Sequence, residues 1–321
     1  MVKKLKRLVL AWCVLFIAGM SFSGAQTFAK AKSFKRSETE MSSCLHNTPM
    51  NLDKNDNINY YQIEEKVDKQ EKYYWQIKKF LHKDNQENNT QNIAGYGDYV
   101  KFVKGNKKDS QTVVTTIIKR GKLCFTVFDK KGKKISEAID KFTKKENYNY
   151  NMEINDISVN GNKLYYAYIK NGEQAHIRCI NMKSGKLISD NLLKSKDDTK
   201  DMKIYKNQIY VLGSKAVKTY SFAGKKMSTH KLPKVKNIIF DDFDISGNYI
   251  YYSNGQDGIY RCNVNKTKGF SLYYEAKGDT CYQQCKVFDI CVANEDTFYV
   301  MYVEKNNNDL FYPTKIAEYT R

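Results

Sequence analysis

The chain is 321 residues long, 41% hydrophobic and 28% charged, with 54 Lys and Arg against 35 Asp and Glu and a formal net charge of +19. Eight cysteines over this length are too sparse for a small disulfide-bonded scaffold, and the chain can bury a large core as one ring-like domain or two ordinary ones. Only six basic residues are Arg; the Lys are scattered in ones and twos, so no basic face stands out and nucleic acid is not the favoured partner. Such a surface suits anionic polymers of a cell wall, a glycan or an extracellular protein.

In chain order, residues 1–29 read as a signal peptide. Lys3, Lys4, Lys6 and Arg7 precede an apolar stretch from Leu8 to Met20, and Ser23-Gly24-Ala25 and Thr27-Phe28-Ala29 follow as small-residue cleavage sites. The apolar stretch would span about 20 Å as a helix, too short for a bilayer core of roughly 30 Å. A secreted, extracellular or wall-associated monomer without a transmembrane anchor is the expectation. Residues 30–57 form a polar lead-in, and 58–95 an N-terminal segment that closes the fold or makes a partial repeat.

From residue 96 the chain repeats. "DISVNGNKLYY" from Asp156, "DMKIYKNQIYV" from Asp201, "DFDISGNYIYY" from Asp242 and "DICVANEDTFY" from Asp289 align without gaps. Each has apolar residues at its second and fourth positions, a turn, and then an aromatic-rich strand. "HIRCINMKSGKLIS" (176–189) and "IYRCNVNKTKGFSLYY" (259–274) continue with two more strands each. Period-two alternation broken by Asn, Gly and Lys-Gly turns is the mark of hairpins. Four strands in 40-odd residues make one propeller blade. A looser copy spans 98–139, and 140–150 reads as a connector. The expected fold is an all-β propeller of about five to six four-stranded blades over 96–321, with seven as the upper limit.

The last unit stops after "FYPTKIAEYTR" with no fourth strand. A closed ring must cover that edge, so an N-terminal segment should supply it. "KYYWQIKKFL" (72–81) is the best candidate, although Ile63, Val67, Tyr74, Ile77 and Leu81 also fit helical spacing.

The stretch "GNYIYYSNGQDGIYRCNVNKTKG" (247–269) resembles the repeats of low-density-lipoprotein-receptor-type propellers found in secreted proteins of Gram-positive bacteria. The resemblance covers roughly 96–321. Ile250-Tyr251-Tyr252-Ser253 stands where that family's Tyr-Trp-Thr-Asp tetrapeptide would be. It implies a propeller, commonly of six blades, that binds proteins or glycans.

The candidate binding residues are the recurring Asp156, Asp201, Asp242 and Asp289, which would gather at one channel mouth, and Tyr73, Tyr74 and Trp75, which lie outside the repeat. The aspartates can equally accept backbone N–H bonds and fix the entry turn of each blade. Cys124, Cys179 and Cys262 fall in equivalent strands and read as packing residues. Cys281 and Cys285 can form a disulfide after export. Isolated histidines and the absence of G-x-S-x-G, phosphate-loop and H-E-x-x-H motifs give no catalytic assignment, no cofactor and no metal. An extracellular hydrolase or lyase acting on anionic polysaccharide through carboxylates paired by folding is the alternative.

Overall fold

The structure is a computed structural model, and it describes residues 33–40, 50–52, 58–67, 73–81, 86–93, 96–104, 110–118, 122–129, 133–140, 152–171, 174–195, 198–235, 241–266, 269–279, 282, 285–304 and 315–321. Between 37 and 118 the description is of backbone, together with the side chains of Met50, Leu52 and Val113. In these residues 24 strands build six antiparallel sheets of four.

Strand β1 (Lys35–Glu40) comes first in the chain and is used last in the fold. Blade 1 follows with β2 (Asn51–Leu52), β3 (Ile58–Val67), β4 (Tyr73–Leu81) and β5 (Gln86–Ile93). Blade 2 is β6 (Tyr96–Lys104), β7 (Ser110–Ile118), β8 (Lys122–Phe128) and β9 (Lys134–Asp140). Blade 3 is β10 (Met152–Asn160), β11 (Lys163–Lys170), β12 (Gln174–Asn181) and β13 (Leu187–Leu192). Blade 4 is β14 (Thr199–Tyr205), β15 (Gln208–Gly213), β16 (Ala216–Ser221) and β17 (Lys226–Lys231). Blade 5 is β18 (Asp242–Ser246), β19 (Tyr249–Ser253), β20 (Gly258–Asn263) and β21 (Ser271–Glu275). Blade 6 has β22 (Cys285–Asn294), β23 (Thr297–Glu304) and β24 (Lys315–Thr320) from its own end of the chain, and its outer strand is β1. The first strand of each sheet touches the first strand of the next, from β2 through β22 and back to β2, so the ring closes around these inner strands.

The repeat in the sequence is the first hairpin of each blade. Asn160 pairs with Lys163, Tyr205 with Gln208 and Ser246 with Tyr249, leaving two-residue turns at Gly161-Asn162, Lys206-Asn207 and Gly247-Asn248. Gly161 and Gly247 have φ of 58° and 60°, and Lys206 and Asn207 have 46° and 61°. These left-handed turns match the twist of the flanking strands, which is why Gly and Asn recur there. The aligned aspartates also superpose in register: Asp156, Asp201, Asp242 and Asp289 face Ala167, Leu212, Ser253 and Met301 in their own hairpins.

The core is divided between the blades. Leu123, Phe125 and Val127 of blade 2 pack with Ile157, Tyr166 and Ile180 of blade 3. Ile177 of blade 3 packs with Met202, Val211 and Tyr220 of blade 4, and Tyr210 and Leu212 of blade 4 with Phe243 and Tyr252 of blade 5. Tyr251 and Tyr274 of blade 5 meet Phe298 and Tyr319 of blade 6, whose Tyr299 and Met301 reach Met50 of blade 1. Alternation along each strand sends neighbouring residues to opposite blades. Tyr251 and Tyr252 are both buried for this reason, and Tyr166 likewise, while Tyr165 stacks on Phe222 with ring centroids 4.2 Å apart.

The closing strand differs from the expected one. Residues 73–81 form the third strand of blade 1, paired through Val67↔Tyr73 to Asn59↔Leu81, and the polar segment Lys35–Glu40 covers the edge of β24 instead. An outermost strand contributes backbone hydrogen bonds and needs no apolar alternation, so "KRSETE" can serve. Its anchor lies just before it: the Phe34 ring sits 5.4 Å from Tyr273, 5.8 Å from Tyr274 and 5.1 Å from Phe298.

Candidate functional site

The carboxylates of the inner strands are held by backbone. Asp156 accepts from Ile157 N at 2.8 Å and from Ile204 N of the next blade at 2.6 Å. Asp242 accepts from Ile290 N of blade 6 at 2.6 Å, and Asp289 from Met50 N of blade 1 at 2.7 Å. Asp244 accepts from Ile245 N at 2.8 Å and from Val292 N of blade 6 at 2.7 Å. Asp201 accepts from Met202 N at 2.7 Å. Each bond across blades ties a carboxylate of one inner strand to the backbone of the following one, a charge-assisted clamp worth roughly 1.5–3 kcal/mol.

Lys203 stands among these acids. Its Nζ lies 3.8 Å from Asp242 Oδ1 and 3.9 Å from Asp289 Oδ1, and 5.7 Å from the centre of the Phe243 ring. Burial disfavours the ammonium, but Asp242, Asp244, Asp289 and Asp201 together hold it protonated well above the usual lysine range. The converse applies to the acids. Burial pushes Asp201 up to about 7, with Lys203 opposing and Asp242 and Asp156 adding to the rise. Burial and the neighbouring Asp242 carboxyl raise Asp289, and burial raises Asp244. Among the described residues, no three carboxylate, His or Cys side chains are arranged to hold a metal ion. The cation at this centre is the chain's own lysine.

These shifts fix a sign. A carboxyl whose pKa is higher folded than unfolded favours the folded state below the unfolded value, near 3.9, and loses that contribution as the pH rises through the folded value. Stability should therefore fall as the pH is raised from about 5 to about 8, and the Asp201→Asn variant should flatten that slope. His230, lowered by burial, works in the opposite sense below about pH 6.5. The difference between wild type and variant in urea titrations at each pH removes its contribution. Parallel curves would refute the assignment.

A second buried polar cluster joins blades 2 and 3. Arg178 and Asp140 are 1% and 0% exposed. Arg178 Nε donates to Asp140 Oδ2 at 2.7 Å and Nη2 to Oδ1 at 3.2 Å, a two-point fork, while Nη1 donates to Asp190 Oδ2 at 2.6 Å. Tyr166 OH donates to Asp140 at 2.7 Å, and Tyr168 OH to Asp190 Oδ2 at 3.0 Å. His176 Nδ1 is 3.2 Å from Asp190 and its ring stacks on Tyr168 at 4.9 Å. Burial raises Asp190, but hydrogen bonds from His176 and Arg178 outweigh it and hold the carboxyl below its ordinary range.

Of the residues expected from sequence, the four aspartates do lie on equivalent positions of consecutive inner strands. Tyr73, Tyr74 and Trp75 lie on β4 of blade 1 by backbone pairing, and their side chains are outside the described residues, as is the pair Cys281 and Cys285. Cys124, Cys179 and Cys262 are buried, and burial pushes the Cys262 thiol up to about 11, which makes it a poor nucleophile. Sequence reasoning missed Lys203 and Asp244. Their signal was the third position of the repeat, where Ser158, Lys203, Asp244 and Cys291 stand and no residue type recurs.

No family model matches the chain, and no curated protein matches it. Among solved structures, the β-propeller domain of Myceliophteria thermophila Cps50 (Swd1) is similar over 90% of this chain and 100% of that one, with 10% identity and a TM-score of 0.50. BamB from Moraxella catarrhalis is similar over 90% and 98% of the two chains, with 8% identity and a TM-score of 0.43. A protein of unknown function from Bacteroides caccae covers 73% and 81%, with 10% identity and a TM-score of 0.47. At such identities the likeness reaches the fold alone, and only the first of the three carries weight. With its six closed sheets, the chain is a β-propeller.

Proposed function

We propose that this chain is a secreted β-propeller that works as a binding or scaffold module, recognising an anionic cell-wall polymer, a glycan or an extracellular protein of a Gram-positive bacterium. The observation that carries the reading is the occupancy of the inner carboxylates. Asp242 and Asp289 each hold a backbone N–H of the next blade with one oxygen and face Lys203 with the other. Groups engaged in this way brace the ring, which leaves recognition to the surface. The formal charge of +19 and the signal-peptide pattern at the start support an anionic partner met outside the cell.

One observation favours the hydrolase reading: Asp242 and Asp289 are neighbours with Asp289 raised, and carboxyls with separated pKa values are the basis of general acid–base chemistry. A single assay separates the two. The purified protein is incubated with wall teichoic acid, pectin-like polysaccharide and a glycan array, and both retention and product release are followed. Retention without turnover is expected, weakening about tenfold or more as the Debye length shrinks from about 10 Å at 0.1 M salt to about 3 Å at 1 M. Cleavage products that vanish in the Asp289→Asn variant would overturn the binding-only reading.

A further inference from the structure

The large apolar residues that the described part of the molecule exposes are Ile135, Leu187, Ile188, Leu192 and Met227, at 52%, 49%, 47%, 45% and 55%. All five lie on outermost strands, β9, β13 and β17, of three consecutive blades. Three of them share one structural position. Where β9 pairs with β8, Val127 faces Ser136 and Phe128 faces Lys134, so Ile135 is the extra residue of a bulge. Ile188 is skipped in the same way between Leu187 and Ser189, and Met227 between Lys226 and Ser228.

Blade 5 has the same bulge, with Tyr273 skipped between Leu272 and Tyr274, yet Tyr273 is 2% exposed. Phe34 covers it, delivered by the extended chain entering β1. The molecule thus contains one filled example of a site that stands open in blades 2 to 4. Bulges and lysines on edge strands commonly deter pairing with other chains. An exposed apolar residue at the bulge does the reverse, and its recurrence in three blades calls for a partner.

The open positions belong to one continuous surface. A Cβ on Gly185, in the turn of blade 3, would lie 2.3 Å from Ile139 O of blade 2, and one on Gly224, in the turn of blade 4, 3.3 Å from Leu192 O of blade 3. Asn191 Nδ2 donates across the same seam to Phe222 O at 2.9 Å. Exposed Lys134, Lys186 and Lys226 open the three strands, and Glu137, the exposed acid of β9, is paired with Lys134 at 2.5 Å.

We propose, on the footing that the propeller is a binding module, that the outer rim of blades 2 to 4 docks an extended acidic segment of another protein. That segment seats a large apolar side chain against the bulge residues as Phe34 does on blade 5. Consecutive blades of a six-bladed ring turn by about 60° from one another, a convex surface that an extended peptide follows and a flat bilayer meets at one blade only.

The test uses the full chain and a fluorescein-labelled acidic peptide with one Phe, its Phe→Ser twin, a twin with the acids replaced by Lys, and phosphatidylglycerol vesicles. The acidic Phe peptide should bind, with about tenfold loss for either twin and for the Ile188→Ser/Met227→Ser variant. These side chains are exposed, and circular dichroism verifies that the variant folds. Lys186→Gln/Lys226→Gln should weaken binding and reduce its salt dependence. Equal binding of the Phe and Ser peptides, indifference to the variants, or binding to vesicles and not to peptide would overturn the proposal. A protein that retains wall polymer and ignores the peptide refutes the rim site alone; one that retains neither refutes the binding-module reading as well.

Discussion

Replacing Asp140 by Asn should lower the unfolding free energy by about 3–5 kcal/mol, the cost of removing one partner from a buried ion pair. Asn keeps the shape of Asp140 but withdraws the charge that Arg178 grips at two points, and it weakens the acceptor of the Tyr166 hydroxyl. Asp190 still holds Nη1 at 2.6 Å, which places the expectation toward the lower end of that range. Desolvation, more than attraction, sets the size: the guanidinium would stay 1% exposed with half its neutralising charge gone. The double variant Asp140→Leu/Arg178→Met should recover more than half of the loss, because both desolvation costs disappear together. Urea titrations of the three proteins with unchanged slope verify this, and a loss below about 1 kcal/mol for Asp140→Asn would show that the cluster is solvated.

Removing residues up to and including Glu40 should abolish a cooperative unfolding transition near physiological temperature. Six residue pairs join β1 to β24, from Lys35↔Thr320 to Glu40↔Lys315. Arg36 pairs with Asp279, which also accepts Tyr319 OH at 2.7 Å and is hydrogen-bonded by Tyr274. At about 0.5–1.5 kcal/mol net per backbone hydrogen bond and about 1.5–3 kcal/mol for burying a Phe side chain, the strap contributes several kcal/mol. Typical domains have only about 5–15 kcal/mol in all. Phe34→Ala alone should cost less, since that ring is half-buried. A peptide covering 33–40 supplied in trans should restore part of the transition. A truncated protein that melts within a few degrees of the intact one would refute the role of β1.

How much of this was legible follows from what each strand is asked to do. Inner hairpins carry alternating apolar residues and left-handed turns, so Asp156 to Tyr166 and Asp242 to Tyr252 declare their structure and their kinship. Tyr251 and Tyr252 read as core because strand alternation demands two buried faces in a blade with neighbours on both sides. Strand β1 was hidden because an edge strand bonds through its backbone, and "KRSETE" looks like any solvated stretch. Lys203 and the Arg178–Asp140 pair were hidden for a different reason. Asp140 lies 38 residues before Arg178, and only the juxtaposition of blades makes them partners. The aspartates were visible as a pattern, but their double duty, bracing the ring while crowding one lysine, needed coordinates.

Because β1 pairs with residues 315–320, the first strand to emerge during synthesis or export meets its mate only when nearly all the rest has been made. Closing so long a loop is entropically slow. Until then the sixth sheet has an unguarded flank that a second nascent copy could occupy with its own Lys35–Glu40. Folding in crowded conditions therefore selects between self-closure and strand exchange, and dilution during refolding should shift the yield toward monomer.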